Sequence, residues 1–201
     1  FNENSTETRG IYKRGYSNEI ENKIGYYFTD EEKEKINLSL ILQYSADIPH
    51  KLTKIVNAKL SALSISGYST GELIVESAKI DNLYIHNFTS QLGSNFYNIK
   101  PFRSELTEKK FEIHKSNLDK VWFDNVSFND FSIISFYRNK FGQTSITSCE
   151  FPDNYKEFDK FKTLENIHYP DRLDDNYYKT RYETFLQLKK LLEASGNFYE
   201  S

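Results

Sequence analysis

Residues 58–88 read AKLSALSISGYSTGELIVESAKIDNLYIHNF. Stepping by five from Ala58 gives Leu63, Tyr68, Leu73, Ala78, Leu83 and Phe88, and all seven are apolar. A companion column two residues later holds Leu60, Ile65, Val75, Ile80 and Ile85, with Thr70 as its exception. Mostly polar residues such as Lys59, Ser64 and Lys79 lie between the columns. The chain is 38% hydrophobic. Seven apolar hits in a row then arise by chance about once in a thousand starting points. A helix needs a period of 3.6 and a plain strand a period of 2. A period of five suits short extended segments with a bend at each fifth residue. Four such sides close a coil of roughly 20 residues, and successive coils stack at the interstrand spacing.

The pattern returns from Val121. Val126, Phe131, Phe136, Phe141, Ile146 and Phe151 follow it at steps of five. The companion column runs Ile113, Leu118, Phe123, Phe128 and Ile133, then breaks at Arg138 and Gln143. Either column can be the central one, and Cys149 lies two residues before Phe151. The two blocks are three residues out of phase. Between them, residues 89–110 contain Gly93, Pro101 and the charged run from Arg103 to Lys110. This reads as an insertion projecting from the coil, either a binding loop or a tolerated surface excursion.

The segments AKLSALSISG, AKIDNLYIHN and SNLDKVWFDNVSFNDF resemble pentapeptide-repeat proteins. The resemblance covers Ala58 to Phe88 and about Phe111 to Phe151. It is degenerate, with aromatics where the family favours small residues. It implies a mainly β fold, a right-handed parallel quadrilateral β-helix with a C-terminal α-helix and a small N-terminal cap. The alternative is a β-sandwich in chance register, but its Gly/Pro-rich turns every 8–12 residues are scarce here.

An open coil end invites aggregation and needs a cover. Residues 1–50 are read as an N-terminal cap region, with a helix start at Thr29–Glu32 and a strand over Ile36–Leu40. Residues 51–170 are the β-helix, and 171–201 a helical segment. Within the last, Asp175 to Ala194 is the clearest helix, with Tyr178, Tyr182, Phe185, Leu188 and Leu192 on one stripe and Gly196 as its stop. Tyr178, Phe185, Leu188 and Leu192 are the candidate oligomer interface. The segment YYKTRYETFLQLKKLLEASGNFYES resembles the helical pair that follows pentapeptide-like repeats in some bacterial proteins, often ahead of a membrane region. That resemblance implies a cytoplasmic domain, at the membrane face in a longer protein. The alternative is a helix that only caps the coil.

Composition limits the chemistry. The 201 residues include 15 Tyr and 16 Phe, enough rings to build a core. A net charge of −3 fits neither a bulk nucleic-acid binder nor a polyacidic DNA mimic. One Cys excludes an internal disulfide. The chain contains no Met and is read as a fragment of a longer protein. His50, His86, His114 and His168 are widely spaced, so no metal site and no cofactor is expected. His86 and His114 read as surface residues of the coil, and Cys149 as a small inward side chain. Asp119, Asp124 and Asp130 are about one pentad apart and fall on different sides of a coil, so no catalytic pair of carboxylates is expected. No phosphate loop or nucleophile elbow occurs.

One cluster suggests a ligand. Tyr137, Arg138 and Lys140 combine a ring with two cations, an arrangement that binds single-stranded nucleic acid or a nucleotide. Its alternative is a solvated coil face. The sequence therefore favours a non-catalytic repeat scaffold that binds a protein partner or itself as a homo-oligomer. The second reading is a ligand- or nucleic-acid-sensing domain of a bacterial membrane effector in stress or antiviral (anti-phage) defence.

Overall fold

In the computed structural model, residues 9–14, 20–22, 38–103, 108–151 and 175–194 are described. They form a parallel β-solenoid. One six-stranded sheet contains β1 (Arg9–Arg14), β3 (Leu38–Tyr44), β5 (Lys59–Ser69), β7 (Lys79–Ser90), β9 (Lys110–His114) and β11 (Ile133–Tyr137). The other contains β2 (Ile20–Asn22), β4 (Leu52–Val56), β6 (Glu72–Glu76), β8 (Ser94–Tyr97), β10 (Val121–Asp124) and β12 (Ser145–Thr147). Odd and even strands alternate along the chain, so each coil contributes one strand to each sheet.

Two short ladders join the sheets. One links residues 67–69 to 88–90 and continues through Asn117 to Lys140. The other links 59–60 to 79–80 and Lys100, with a further bridge from Ser127 to Glu150. Each complete coil thus has four hydrogen-bonded sides. Strands β5 and β7 are long because they run round corners. Leu60 with Ser61, and Ile80 with Asp81, are consecutive buried pairs that break the inward–outward alternation.

The first block keeps the five-residue rule. Leu63 pairs with Leu83 and Ile55 with Val75, twenty residues on, and all four are buried. Tyr68 is the exception, 39% exposed. A bulge places Gly67 opposite Phe88 and leaves Asn87 as the extra residue, so Phe88 turns in and Tyr68 turns out. Gly67 is required there: at φ +88° a Cβ would lie 2.0 Å from the Tyr44 carbonyl oxygen.

The second block has longer coils. Ile113 pairs with Phe136, and Phe123 with Ile146, twenty-three residues on. The wider cross-section is filled by rings. Phe111 meets Phe128 at 4.8 Å and Phe131 at 5.4 Å, edge to face, while Phe96 stacks on Phe123 at 5.2 Å. Both candidate columns therefore point inward: Leu118, Phe123 and Phe128 from one, Val121, Val126 and Phe131 from the other. Ile133, Phe141 and Phe151 are only partly buried. The column breaks at Arg138 because that residue is an exposed left-handed corner at φ +51°, and the stack continues through β12.

A column of left-handed residues follows the even strands: Asn57, Ser77, Asn98, Asn125 and Ser148, all with φ between +51° and +54°. The backbone N–H groups of the first four bond to the coil above, as from Asn57 to the Glu76 carbonyl at 3.0 Å and from Ser77 to the Tyr97 carbonyl at 2.9 Å. Asparagine suits this corner because its short polar side chain tolerates φ > 0.

Strands β1, β2 and β3 lie in the stretch expected to be a separate cap, and they extend the same two sheets. Strand β8 lies in the expected insertion, which narrows the excursion to the chain after Lys100. The expected helix start at Thr29 lies outside the described residues. The C-terminal helix α1 is Asp175–Ala194. It packs against β11 and β12, and Leu188 and Leu192 join the core.

Candidate functional site

Two outward faces carry chemistry. On the first sheet, alternation turns Tyr84, His86, Glu112, His114, Ser135 and Tyr137 away from the core. Glu112, His114, Ser135 and Tyr137 are nevertheless buried, while His86 remains half-exposed. The rings form a ladder up the coils. His86 stacks on His114 at 4.6 Å with the planes 8° apart, and His114 meets Tyr137 edge-on at 6.1 Å. The Arg138 guanidinium lies 5.1 Å over the Tyr137 ring. His114 Nε2 is hydrogen-bonded to Ser135 Oγ at 2.8 Å. Glu112 Oε2 lies 3.6 Å from His86 Nε2. Burial, and then the Glu112 carboxylate, push the Tyr84 hydroxyl above its usual range.

The spacing in sequence concealed this cluster. His86 and His114 are paired residues of β7 and β9, one coil apart, and the coil between them is lengthened to 28 residues. The expectation that the histidines lie far apart on the coil surface is therefore corrected: they are in contact, and His114 is buried. A search for residues repeating at coil length rather than at metal-motif spacing finds them.

The expected ligand patch is divided. Tyr137 and Arg138 are together, but the Tyr137 ring is buried beneath Arg138. Arg138 sits at φ +51°, on a corner. Lys140 lies beyond the corner and pairs with Asp119, whose carboxyl it holds below the usual range. Asp124 instead accepts the Thr147 hydroxyl on the other sheet at 2.8 Å, and Asp130 sits in a 3-10 turn, so the three carboxylates share no site. Cys149 is buried, as its inward reading requires.

On the second sheet the outward columns are Lys54, Ile74, Asn95, Trp122 and Ser145, and beside them Val56, Glu76, Tyr97, Asp124 and Thr147. Trp122 is 46% and Tyr97 43% exposed, and with Ile74 and Asn95 they line a shallow groove. The indole is fixed: its N–H donates to Thr147 Oγ1 at 2.7 Å. Sequence reading missed this face because Trp122 falls between the two apolar columns.

Of the expected interface residues, Leu188 and Leu192 are buried in their own chain and Phe185 partly so. Tyr182, on the same stripe, is exposed, and the Tyr178 side chain lies outside the described residues. Among the described residues no helix is long and apolar enough to cross a membrane. No family model, curated protein or solved structure matches the chain.

Proposed function

We propose that the chain is a non-catalytic scaffold that associates with a second copy of itself through the outward face of the second sheet. The observation that carries this reading is the pair of exposed rings, Trp122 and Tyr97, in one groove of a rigid sheet. Large exposed aromatics on a flat face mark interaction surfaces, and Trp and Tyr are the usual anchors. The charges on this face are paired within the chain, Lys54 with Glu76 at 3.8 Å and Asp124 with the Thr147 hydroxyl at 2.8 Å. An isologous contact sets this same patch of one copy against that of its partner, so the Trp122 and Tyr97 rings of both copies are covered together. Five strands of about four residues offer about 300–400 Å² per copy, so the dimer is of the weak class.

The coils fit degenerate pentapeptide repeats of the right-handed quadrilateral kind; four ladders per coil and twenty-residue first coils support that assignment. The nucleotide-sensing alternative keeps the Arg138 cation but has no open Tyr137 face on which to stack a base.

Trp122 is the sole tryptophan, so its emission reports on this face alone. Dilution from about 100 to 0.1 µM should shift the emission to the red as the indole becomes hydrated. A spectrum independent of concentration over that range argues against self-association.

A further inference from the structure

We propose that His86, Glu112 and His114 form a zinc site that fastens β7 to β9. Their ligand atoms all lie within 4.8 Å of one another. Ligands at 2.0–2.2 Å from a tetrahedral ion are about 3.3 Å apart, so closure needs a shift of roughly 1 Å or less at each. Because the His86 and His114 rings are stacked 8° from parallel, a common ion also requires the half-exposed His86 ring to turn out of the stack and aim its lone pair at the ion.

Three further observations point to a cation. His86 Nε2 is shielded from solvent and has no hydrogen-bond partner, a cost that a native structure ordinarily avoids. It faces the Glu112 carboxylate at 3.6 Å, too far for a hydrogen bond and within reach of a bridging ion. Glu112 is itself buried on an outward position where a solvated glutamate would cost nothing. The His114 ring is already oriented by the Ser135 hydroxyl, 2.8 Å from its Nε2. Two imidazoles and one carboxylate suit Zn²⁺ with water in the fourth position, whereas Mg²⁺ and Ca²⁺ prefer all-oxygen sets.

The location gives the ion a task. Strands β7 and β9 are joined by a coil of 28 residues, eight more than the coil before it, and this coil carries the excursion after Lys100. A metal across His86 and His114 closes that coil from outside, and binding only to the folded state raises stability.

The test uses the full chain without a histidine tag, stripped with chelator and titrated with Zn²⁺ against a chromophoric competitor. One ion per chain is expected at micromolar affinity or tighter, with a rise in melting temperature. Co²⁺ should give the visible absorption of a four-coordinate site. His86→Ala and Glu112→Gln should each weaken binding about tenfold or more. His86→Ala, at a half-exposed position, should keep the far-ultraviolet circular dichroism of the metal-free wild type. Absence of Zn²⁺ binding by folded wild type, or a His86→Ala variant that binds as tightly, overturns the proposal.

Discussion

Asn98 stands one coil above Ser77 and donates its side-chain amide to the Ser77 hydroxyl at 3.3 Å, with both residues at φ just above +50°. The corner of the solenoid is thus a chain of side-chain bonds between residues in a backbone region that most L-residues avoid. A second set of left-handed corners holds Asn87, Lys115 and Arg138, one coil apart, the last two without an asparagine side chain. Each such residue costs about 1 kcal/mol. Lys115→Gly, which keeps the N–H bonded to the Tyr137 carbonyl at 2.7 Å, should therefore raise the melting temperature by about 2–4 °C. An unchanged or lower value would show that the lysine side chain compensates the corner.

Asp81 is fully buried where β7 turns, and it accepts the backbone N–H groups of Phe102 and Arg103 at 3.0 and 3.1 Å. The Arg103 guanidinium completes the cluster at the start of the excursion. Asp81→Ala removes the acceptor for all three donors. It should cost about 3–5 kcal/mol in urea unfolding. A loss below about 1 kcal/mol would mean that the excursion is not pinned there.

Burial pushes the Tyr44 hydroxyl up to about 12, offset in part by the neighbouring Thr53 side chain. The oxygen has no hydrogen bond of good geometry. The raised value means that the folded chain keeps its proton while the unfolded chain ionises. Tyr44 therefore contributes fully below about pH 10, and roughly 2–3 kcal/mol is lost between pH 10 and 12. Tyr44→Phe should flatten that part of the stability profile and gain about 1 kcal/mol at neutral pH. Parallel profiles for the two proteins would contradict the assignment.

Phe128 is fully buried between Phe111 and Phe151, which stacks on it at 4.7 Å. Phe128→Ala should cost about 3–5 kcal/mol, and Phe136→Asp should prevent soluble folding. A Phe136→Asp protein with wild-type melting would refute the inward orientation of that column.

The coil was legible because its signal is covalent spacing. Leu63, Leu73 and Leu83 repeat at multiples of five in the sequence, and that regularity survives wherever coils keep twenty residues. Tyr68 shows where it fails: one extra residue, Asn87, moves the inward position from Tyr68 to Phe88. The helix from Asp175 to Ala194 was legible from its apolar steps of three and four and its acidic start. The sites were not. His86 with His114, and Tyr97 with Trp122, are joined across strands, through coils lengthened by bulges and the excursion. Their separation in sequence, 28 and 25 residues, matches no local motif, and only the register of the sheets reveals it.

Self-association through the second sheet is most directly tested by sedimentation velocity at micromolar and higher concentrations. Wild type should sediment above the monomer and fall to it on dilution. The double variant Tyr97→Ser, Trp122→Ser should be monomeric throughout, with circular dichroism unchanged because both rings lie outside the core. A wild-type monomer at every concentration, or a double variant that still dimerises, would contradict the proposed face.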